Sequence, residues 1–209
     1  MKIYTWKTPN GYKVPIMLEE LGKEYEIIAV DISKGEQKTP EFLAMNPNHK
    51  IPVFVDDENG GLTIFESGAI LIYLAGKYKK FLSEDLKPKF EALEWLMFQM
   101  ASVGPMFGQA NHFIKYAPEK IDYAIKRYTD ESVRIMGVLE TRLAQVPYLA
   151  GEYGIADIAT WPWIRTGVTN KIVDLAQFPA VEKWYKAIEN REAVKRAIEK
   201  VDAAAATKK

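Results

Sequence analysis

Two chemical features lie within residues 46–74 of the chain. Ile51-Pro52 precedes a short apolar run, and an X-Pro bond adopts the cis form at a cost of only about 0.5–1 kcal/mol. A cis bond would turn the main-chain groups of Ile51 outward, where a peptide-like ligand could pair with them as an extra strand. Glu66-Ser67 opens a stretch of helical spacing, and a helix N-terminus offers N–H groups to a carboxylate. Together these features suit a small acidic peptide.

The same residues also allow a purely structural interpretation. Proline has no N–H and interrupts a strand ladder, so Pro52 could simply end a loop. Ser67 could simply cap a helix. Taken one at a time, the residues favour this simpler interpretation.

A hairpin followed by a helix is predicted to position these groups. Residues 53–55 form a short apolar strand, residues 56–61 supply polar and Gly-rich turn chemistry, and residues 62–65 form a second strand. From Glu66 onward the apolar residues recur at helical rather than strand spacing: Ala69, Ile70, Tyr73 and Leu74.

The elements before this hairpin are two strands and two helices. Residues 2–6 and 25–32 are predicted strands, and a short helix is expected to begin at Pro40. Between the strands, apolar residues at helical spacing predict a first helix, in which Pro15 removes a backbone hydrogen bond and bends the helix entry. The predicted order is strand, helix, strand, helix, strand, strand, helix.

The second half of the chain reads as helical throughout. Residues 79–88 are predicted to be a linker, and Gly104-Pro105 interrupts the first amphipathic stripe after it. Residues 121–143 predict a long helix, residues 157–164 a buried central helix, and Phe178-Pro179 the start of another. The Ala-rich tail, residues 203–209, is expected to fray.

The composition restricts the chemistry that the chain itself supplies. Its 209 residues carry 28 basic and 28 acidic side chains, so net charge gives no case for nucleic acid or an anionic membrane as partner. The absence of cysteine excludes disulfides, thiolate metal sites and a protein-borne thiol nucleophile. The two histidines, His49 and His112, leave little for a metal site. With no apolar signal segment and no run of transmembrane length, a cytoplasmic protein is expected.

The stretch NPNHKIPVFVD…LTIFESGAILIYLAGKY resembles the glutathione-binding half of glutathione transferases. The resemblance implies that Pro52 is a strand-initiating cis-Pro, which together with the following Glu-Ser pair holds the tripeptide. The resemblance implies an α/β thioredoxin-like domain, βαβαββα, over residues 1–80. It implies an all-α helical-bundle domain over residues 88–209 that forms the wall of the second-substrate site. In the segment LAGEYGIADIATWPW, Gly154 replaces the family's usual capping Ser or Thr, while Asp157 is retained.

TPNG at residues 8–11, together with GPMFGQANHF at 104–113, resembles the nu class of this family, the glutathione-dependent disulfide-bond oxidoreductases. Thr8 and Asn10 match that class's sulfur-site residues, and both side chains can donate a hydrogen bond toward a thiolate. Asn10 is also a candidate N-cap, with Gly11 allowing a close approach. Tyr4 lies within the first strand and is expected to be a packed aromatic.

Further site residues follow from matching to the class. Gln37 and Lys50 match residues that reach glutathione, Ile51 offers main-chain pairing, and Glu66 and Ser67 match the clamp on the γ-glutamyl group. Arg127 matches an arginine that the class extends from a partner subunit, which implies a homodimer. His49 departs from the class's more usual Asn.

The predicted function is that of a glutathione-dependent enzyme, with glutathione as co-substrate and no metal. Disulfide reduction is favoured, with some transferase or peroxidase activity on a small disulfide, peroxide or electrophile. The alternative is a binding or regulatory module of the same fold without significant turnover. His112 is interpreted as a polar wall residue beside Phe113, and Trp161-Pro162-Trp163 as core packing.

Overall fold

The computed structural model describes residues 1–208, and the contacts divide them into two compact units. One unit comprises Met1–Lys80 together with the residues from Asn190 onward, and the other comprises Phe81–Glu189. No helix within residues 1–208 is long and apolar enough to cross a bilayer.

The first unit is built on a four-stranded mixed sheet. Its strands are β1 (Lys2–Thr5), β2 (Glu26–Ala29), β3 (Val53–Asp56) and β4 (Leu62–Phe65), in the order β2-β1-β3-β4. β1 runs parallel to β2 and antiparallel to β3, and β3 runs antiparallel to β4. The predicted order of strands and helices is confirmed, although β2 is four residues long instead of the predicted eight.

The α-helices within the described residues follow in chain order: α1 (Pro9–Glu20), α2 (Pro40–Met45), α3 (Ser67–Tyr78), α4 (Leu86–Phe98), α5 (Gly104–Lys115), α6 (Asp122–Leu143), α7 (Ile155–Thr169), α8 (Pro179–Glu189) and α9 (Glu192–Ala206). The second unit is helical, as predicted. Its first helix begins at Leu86, within the stretch predicted to be a linker, because Pro88 is tolerated in a first helical turn.

Pro15 lies inside α1 and has no N–H for the carbonyl of Gly11, four residues earlier. The buried Thr5 hydroxyl donates to that carbonyl at 2.8 Å and so replaces the missing bond. A Cβ on Gly11 would lie 1.8 Å from the Trp6 carbonyl oxygen, so only glycine allows α1 to leave β1 this closely. The proline thus helps to fix the start of α1.

The predicted interruption at Gly104-Pro105 is a π-helical turn, Gln99–Val103, that joins α4 to α5. The Gly104 N–H donates to the Gln99 carbonyl, five residues earlier. A wider turn of this kind accommodates Pro105, which cannot donate an α-helical bond.

The start of α7 is closed by its own unit. The Ile155 N–H donates to the Phe81 carbonyl at 3.0 Å, and a Cβ on Gly154 would lie 2.7 Å from that oxygen. The Asp157 carboxylate accepts from the Gly154 N–H at 3.0 Å, which completes the predicted half of the capping box. The Phe81 carbonyl therefore accepts a hydrogen bond at the start of this helix, where the family's usual Ser or Thr hydroxyl is missing.

The helix α9 packs against α1 in the first unit, whereas the predicted second domain ran through residue 209. Arg191 pairs with Glu20 through two bonds of 2.5 and 2.8 Å. Arg196 and Lys200 pair with Glu19 at 2.9 and 2.5 Å. Three basic residues, at the start of α9 and within it, therefore pair with α1 instead of being fully solvated. The helix continues through Ala206 without the expected fraying, and residue 209 lies outside the described residues.

Candidate functional site

The strand pairing brings three chain segments to one edge of the sheet. Tyr4 of β1 lies opposite Val53 of β3, so the residues after β1 adjoin those before β3. Val53 also lies opposite Phe65 of β4, so the residues after β4 reach the same edge. The starts of α1 and α3 and the Ile51-Pro52 segment therefore converge.

Thr8 is the N-cap of α1, and its hydroxyl oxygen accepts from the Gly11 N–H at 3.1 Å. Pro9 occupies the first helical position, where its missing N–H costs nothing. The interpretation of Asn10 as N-cap is wrong, since Asn10 lies within the first turn. The Thr8 hydroxyl keeps its own proton, so it can cap the helix and still donate to a sulfur atom.

The Ile51-Pro52 peptide bond is cis, as predicted. Within residues 1–208 no hydrogen bond to the main-chain N–H or C=O of Ile51 is recorded, while its side chain packs against a cluster of Val30, Phe42 and Val53. The Ile51 backbone is thus held by side-chain packing and remains available to an extended ligand.

Asn46 fixes the loop that leads to Ile51. Its side chain is 2% exposed, accepts from the Asn48 N–H at 2.9 Å and donates to the Lys50 carbonyl at 2.6 Å. The Lys50 side chain is exposed. His49 adopts a positive φ of 56°, a region in which Asn and His are enriched, so the departure from Asn fits this backbone.

The start of α3 holds Glu66 and Ser67. Glu66 is the N-cap residue, has a φ of 70° and forms no side-chain capping bond. A non-glycine residue in this region carries backbone strain of about 1–3 kcal/mol, and strain of this kind concentrates at functional sites. The Glu66 side chain is exposed, whereas Ser67 is 3% exposed. One carboxylate and one buried hydroxyl therefore flank the positive end of the helix.

Lys13 lies behind this helix start and was missed by the sequence reasoning. Its side chain is 0% exposed, and its Nζ donates to Ser67 Oγ at 3.2 Å. Burial lowers the pKa of the Lys13 ammonium to about 7, and the Glu66 carboxylate acts in the opposite direction. The only indication in the sequence that Lys13 is buried is its position between Tyr12 and Val14 in a helix rich in apolar residues.

Gln37 lies in a 3-10 turn, Glu36–Lys38, that follows β2. β2 runs parallel to β1, so the chain leaves it at the edge where α1 begins. The Gln37 amide oxygen is buried without a hydrogen-bond partner among residues 1–208, and its nitrogen lies 3.5 Å from the Ile32 carbonyl. A buried amide oxygen without a partner indicates a place for a ligand or a water.

The family models match both halves of the chain. Residues 1–76 match the glutathione S-transferase N-terminal domain, and residues 95–192 match the C-terminal domain. The chain belongs to the glutathione transferase family. Its sheet and helices are those of the glutathione transferase fold, as the sequence predicted.

Along nearly its whole length the chain is similar to a disulfide-bond oxidoreductase and to solved glutathione transferases. It is 47% identical over 201 residues to the disulfide-bond oxidoreductase YfcG of Escherichia coli, covering 94% of this chain and 93% of YfcG. A glutathione transferase from Burkholderia graminis, solved with two glutathione molecules per subunit, superposes with a TM-score of 0.91 at 43% identity, covering 95% and 87% of the two chains. A glutathione transferase from Pseudomonas putida, solved with one glutathione disulfide per subunit, superposes with a TM-score of 0.90 at 41% identity. The match covers 94% of this chain and 90% of that one.

Arg127 lies on α6, in the second unit. It is exposed and lines a groove of about 640 Å³ together with Tyr123, Lys126 and Arg134. The exposed His112 meets Phe113 edge-on, with ring centroids 5.1 Å apart, and its interpretation as a wall residue stays a prediction. Asp130 and Glu131 also line this groove and pair with Lys126 and Arg134 at 2.5 and 2.7 Å, so the groove carries charges of both signs.

Two aromatic predictions for this transferase are confirmed. Tyr4 packs against the cluster around Phe42 and so is a packed aromatic. Trp161 is 1% exposed and donates to the Tyr185 carbonyl at 3.1 Å, which makes it a core residue.

Within residues 1–208 there is no group of three or more acidic or histidine side chains suited to a metal ion.

Proposed function

We propose that this protein is a glutathione-dependent disulfide-bond reductase of the nu-class type, with some transferase or peroxidase activity. Glutathione is its co-substrate, and the second substrate is a small disulfide, peroxide or electrophile. The main support for this proposal is that the residues proposed to bind glutathione lie at one edge of the sheet: Thr8, Asn10, Ile51, Glu66 and Ser67. Because the chain has no cysteine, the reacting thiol must come from glutathione.

The site offers one group for each part of glutathione. The N–H groups at the start of α3 and the Ser67 hydroxyl suit the γ-glutamyl carboxylate, and Glu66 suits the adjacent ammonium group. The main chain of Ile51 suits the cysteinyl backbone, while Gln37 and Lys50 lie on the loops at the same edge. The thiol then lies toward Thr8 and Asn10 at the positive end of α1.

The chemistry is thiol–disulfide exchange carried by glutathione. The donors at the start of α1 stabilise the thiolate, which attacks one sulfur of the substrate disulfide. A mixed disulfide with glutathione forms, and the leaving thiolate takes up a proton. A second glutathione thiolate attacks the mixed disulfide, so one disulfide and two glutathione molecules yield two thiols and glutathione disulfide.

The deciding assay is glutathione-dependent reduction of a model disulfide, run beside conjugation of an aromatic halide. The expected result is reduction that exceeds conjugation and that falls in Ser67→Ala at subsaturating glutathione. Brisk conjugation without reduction would reassign the protein to ordinary transferase chemistry. Failure of the wild type to bind millimolar glutathione in calorimetry would overturn the proposal as a whole.

A homodimer with Arg127 acting on the partner's glutathione is also proposed. Apolar side chains exposed on α4 support an association surface, since Leu86, Phe90 and Met97 are 75, 54 and 48% exposed. Light scattering is expected to report a dimer. Arg127→Ala should weaken glutathione binding, while Lys126→Ala, on the same groove and equally cationic, should not. A monomer, or equal effects of the two variants, would contradict this.

The alternative of a regulatory module has one supporting observation. The transcriptional regulator URE2 of Saccharomyces cerevisiae is 37% identical over 233 aligned positions, gaps included, and the match covers 91% of this chain and 65% of that protein. Glutathione binding with no turnover of disulfides, peroxides or aromatic halides would favour this alternative. A cytoplasmic location and a domain boundary between residues 80 and 88 also remain proposals, and cell fractionation and limited proteolysis would test them.

A further inference from the structure

Lys13 is the only fully buried lysine or arginine within residues 1–208. A buried ammonium is costly because it loses its hydration, and a methionine of similar length would fill the same space without that cost. The position therefore requires an explanation beyond packing.

The Lys13 side chain connects the two helix starts that line the proposed glutathione site. Lys13 belongs to α1, which begins with the Thr8 cap, and its Nζ lies 3.2 Å from Oγ of Ser67, the first residue of α3. Glu66, the residue before Ser67, is the charged group that acts on Lys13 electrostatically. The buried cation thus lies directly behind the hydroxyl at the start of α3.

This contact determines how the Ser67 hydroxyl is oriented. An ammonium group has donors only, so the Ser67 oxygen is the acceptor. The hydroxyl proton consequently points away from Lys13. An anion that binds on the far side of Ser67 also favours the charged form of Lys13.

We propose that Lys13 is a positioning residue that orients the Ser67 hydroxyl as a donor to the γ-glutamyl carboxylate of glutathione and places a positive charge behind it. The inference rests on the proposed function, in which this helix start holds that carboxylate. Lys13 should therefore help the protein to bind peptides that carry a carboxylate at this position more tightly than peptides that lack it.

The test compares Lys13→Met with the wild type on two ligands. One is glutathione, and the other is 4-aminobutyryl-cysteinyl-glycine, which lacks only the γ-glutamyl carboxylate. In Lys13→Met the KM for glutathione should rise by about tenfold while kcat at saturation changes little, because a charge-assisted contact to the bound ligand is lost. The KM for the analogue should stay near its wild-type value.

Two further variants isolate the contact. Lys13→Met combined with Ser67→Ala should lose less glutathione affinity than the two single losses added together, since the orienting effect of Lys13 passes through that hydroxyl. Lys23→Met, beyond the opposite end of the same helix, should leave both KM values unchanged. Additive losses in the double variant, or equal losses for both ligands, would overturn the inference.

Spectroscopy on the wild type covers the case in which Lys13→Met does not fold. In lysine-labelled protein, the Nζ signal of Lys13 should shift when glutathione is added and stay in place with the analogue. The same response to both ligands, or to neither, would refute the role of Lys13. Failure of the wild type to bind glutathione at all would instead refute the proposed function.

Discussion

The helices α3 and α7 begin in opposite ways. At α7 the Asp157 carboxylate accepts from the Leu149 and Gly154 N–H groups and from Trp184 Nε1, all at 2.8–3.0 Å, and is fully buried. At α3 the N-cap residue Glu66 is exposed, adopts a positive φ and caps nothing with its side chain.

The contrast separates a helix start used for stability from one suited to a ligand. The α7 start already contains an anion, so its positive end is neutralised within the fold. The α3 start has a buried cation, Lys13, behind it. A positive helix end reinforced by a cation is completed by an anion from outside, which is the role proposed for the carboxylate of glutathione.

The largest effect is expected at the closed helix start. Asp157→Ala leaves three buried donors without an acceptor, so the free energy of unfolding should fall by at least about 3 kcal/mol. Asp157→Asn keeps one acceptor oxygen and should lose less. Urea denaturation measures both, and calorimetry should show unchanged glutathione affinity for whatever fraction is folded. If Asp157→Ala unfolds at the same urea concentration as the wild type, the hydrogen bonds at this helix start do not contribute to stability.

The open helix start should show the reverse pattern. Ser67→Ala removes one charge-assisted hydrogen bond to the γ-glutamyl carboxylate, worth about 1.5–3 kcal/mol of binding free energy. Glutathione affinity should therefore fall by about tenfold or more. Stability should fall less than in Asp157→Ala. Glutathione affinity by calorimetry and stability by urea denaturation would be measured on the same preparations. If Ser67→Ala lost stability but no affinity, α3 would begin, like α7, with a group that serves only stability.

The buried cation should give stability a dependence on pH. Burial lowers the pKa of Lys13 from 10.5 to about 7 in the folded protein, so between these values the unfolded chain holds a proton that the folded chain lacks. Stability from this group therefore rises with pH across that window, at up to about 1.4 kcal/mol per pH unit, and is lost as pH falls through 7. The difference in unfolding free energy between wild type and Lys13→Met should follow this slope. Parallel curves would contradict the burial of a titrating lysine.

The start of α1 is an intermediate case, because Thr8 caps the helix and also faces the proposed sulfur position. Thr8→Val should lose about 1 kcal/mol of stability with the cap and should lower kcat more than it raises the KM for glutathione. Thr8→Ser should keep both properties. Thr8→Asp keeps an acceptor for the Gly11 N–H but has no proton to donate, so its stability should persist while turnover falls. Full activity in Thr8→Val would leave Asn10 and the helix end as the sulfur-stabilising groups.

The sequence by itself determined the order of elements and the stretches that carry chemistry. β4 was predicted with its observed bounds, since it lies between a Gly-rich turn and a change to helical spacing. The cis bond at Pro52 was predicted because it depends on a local residue type together with the family resemblance. The same resemblance supplied the site residues, whose roles stay predictions.

Only the tertiary structure decided which groups meet across the chain. Lys13 and Ser67 are 54 residues apart, and Glu19 pairs with Lys200 across 181 residues. No local pattern distinguishes a lysine that will be buried from one that will be solvated, because its environment comes from elements that pack against it from elsewhere in the chain. For the same reason α9 was placed with the wrong neighbours: its amphipathic pattern shows that one face is covered, but not that α1 covers it.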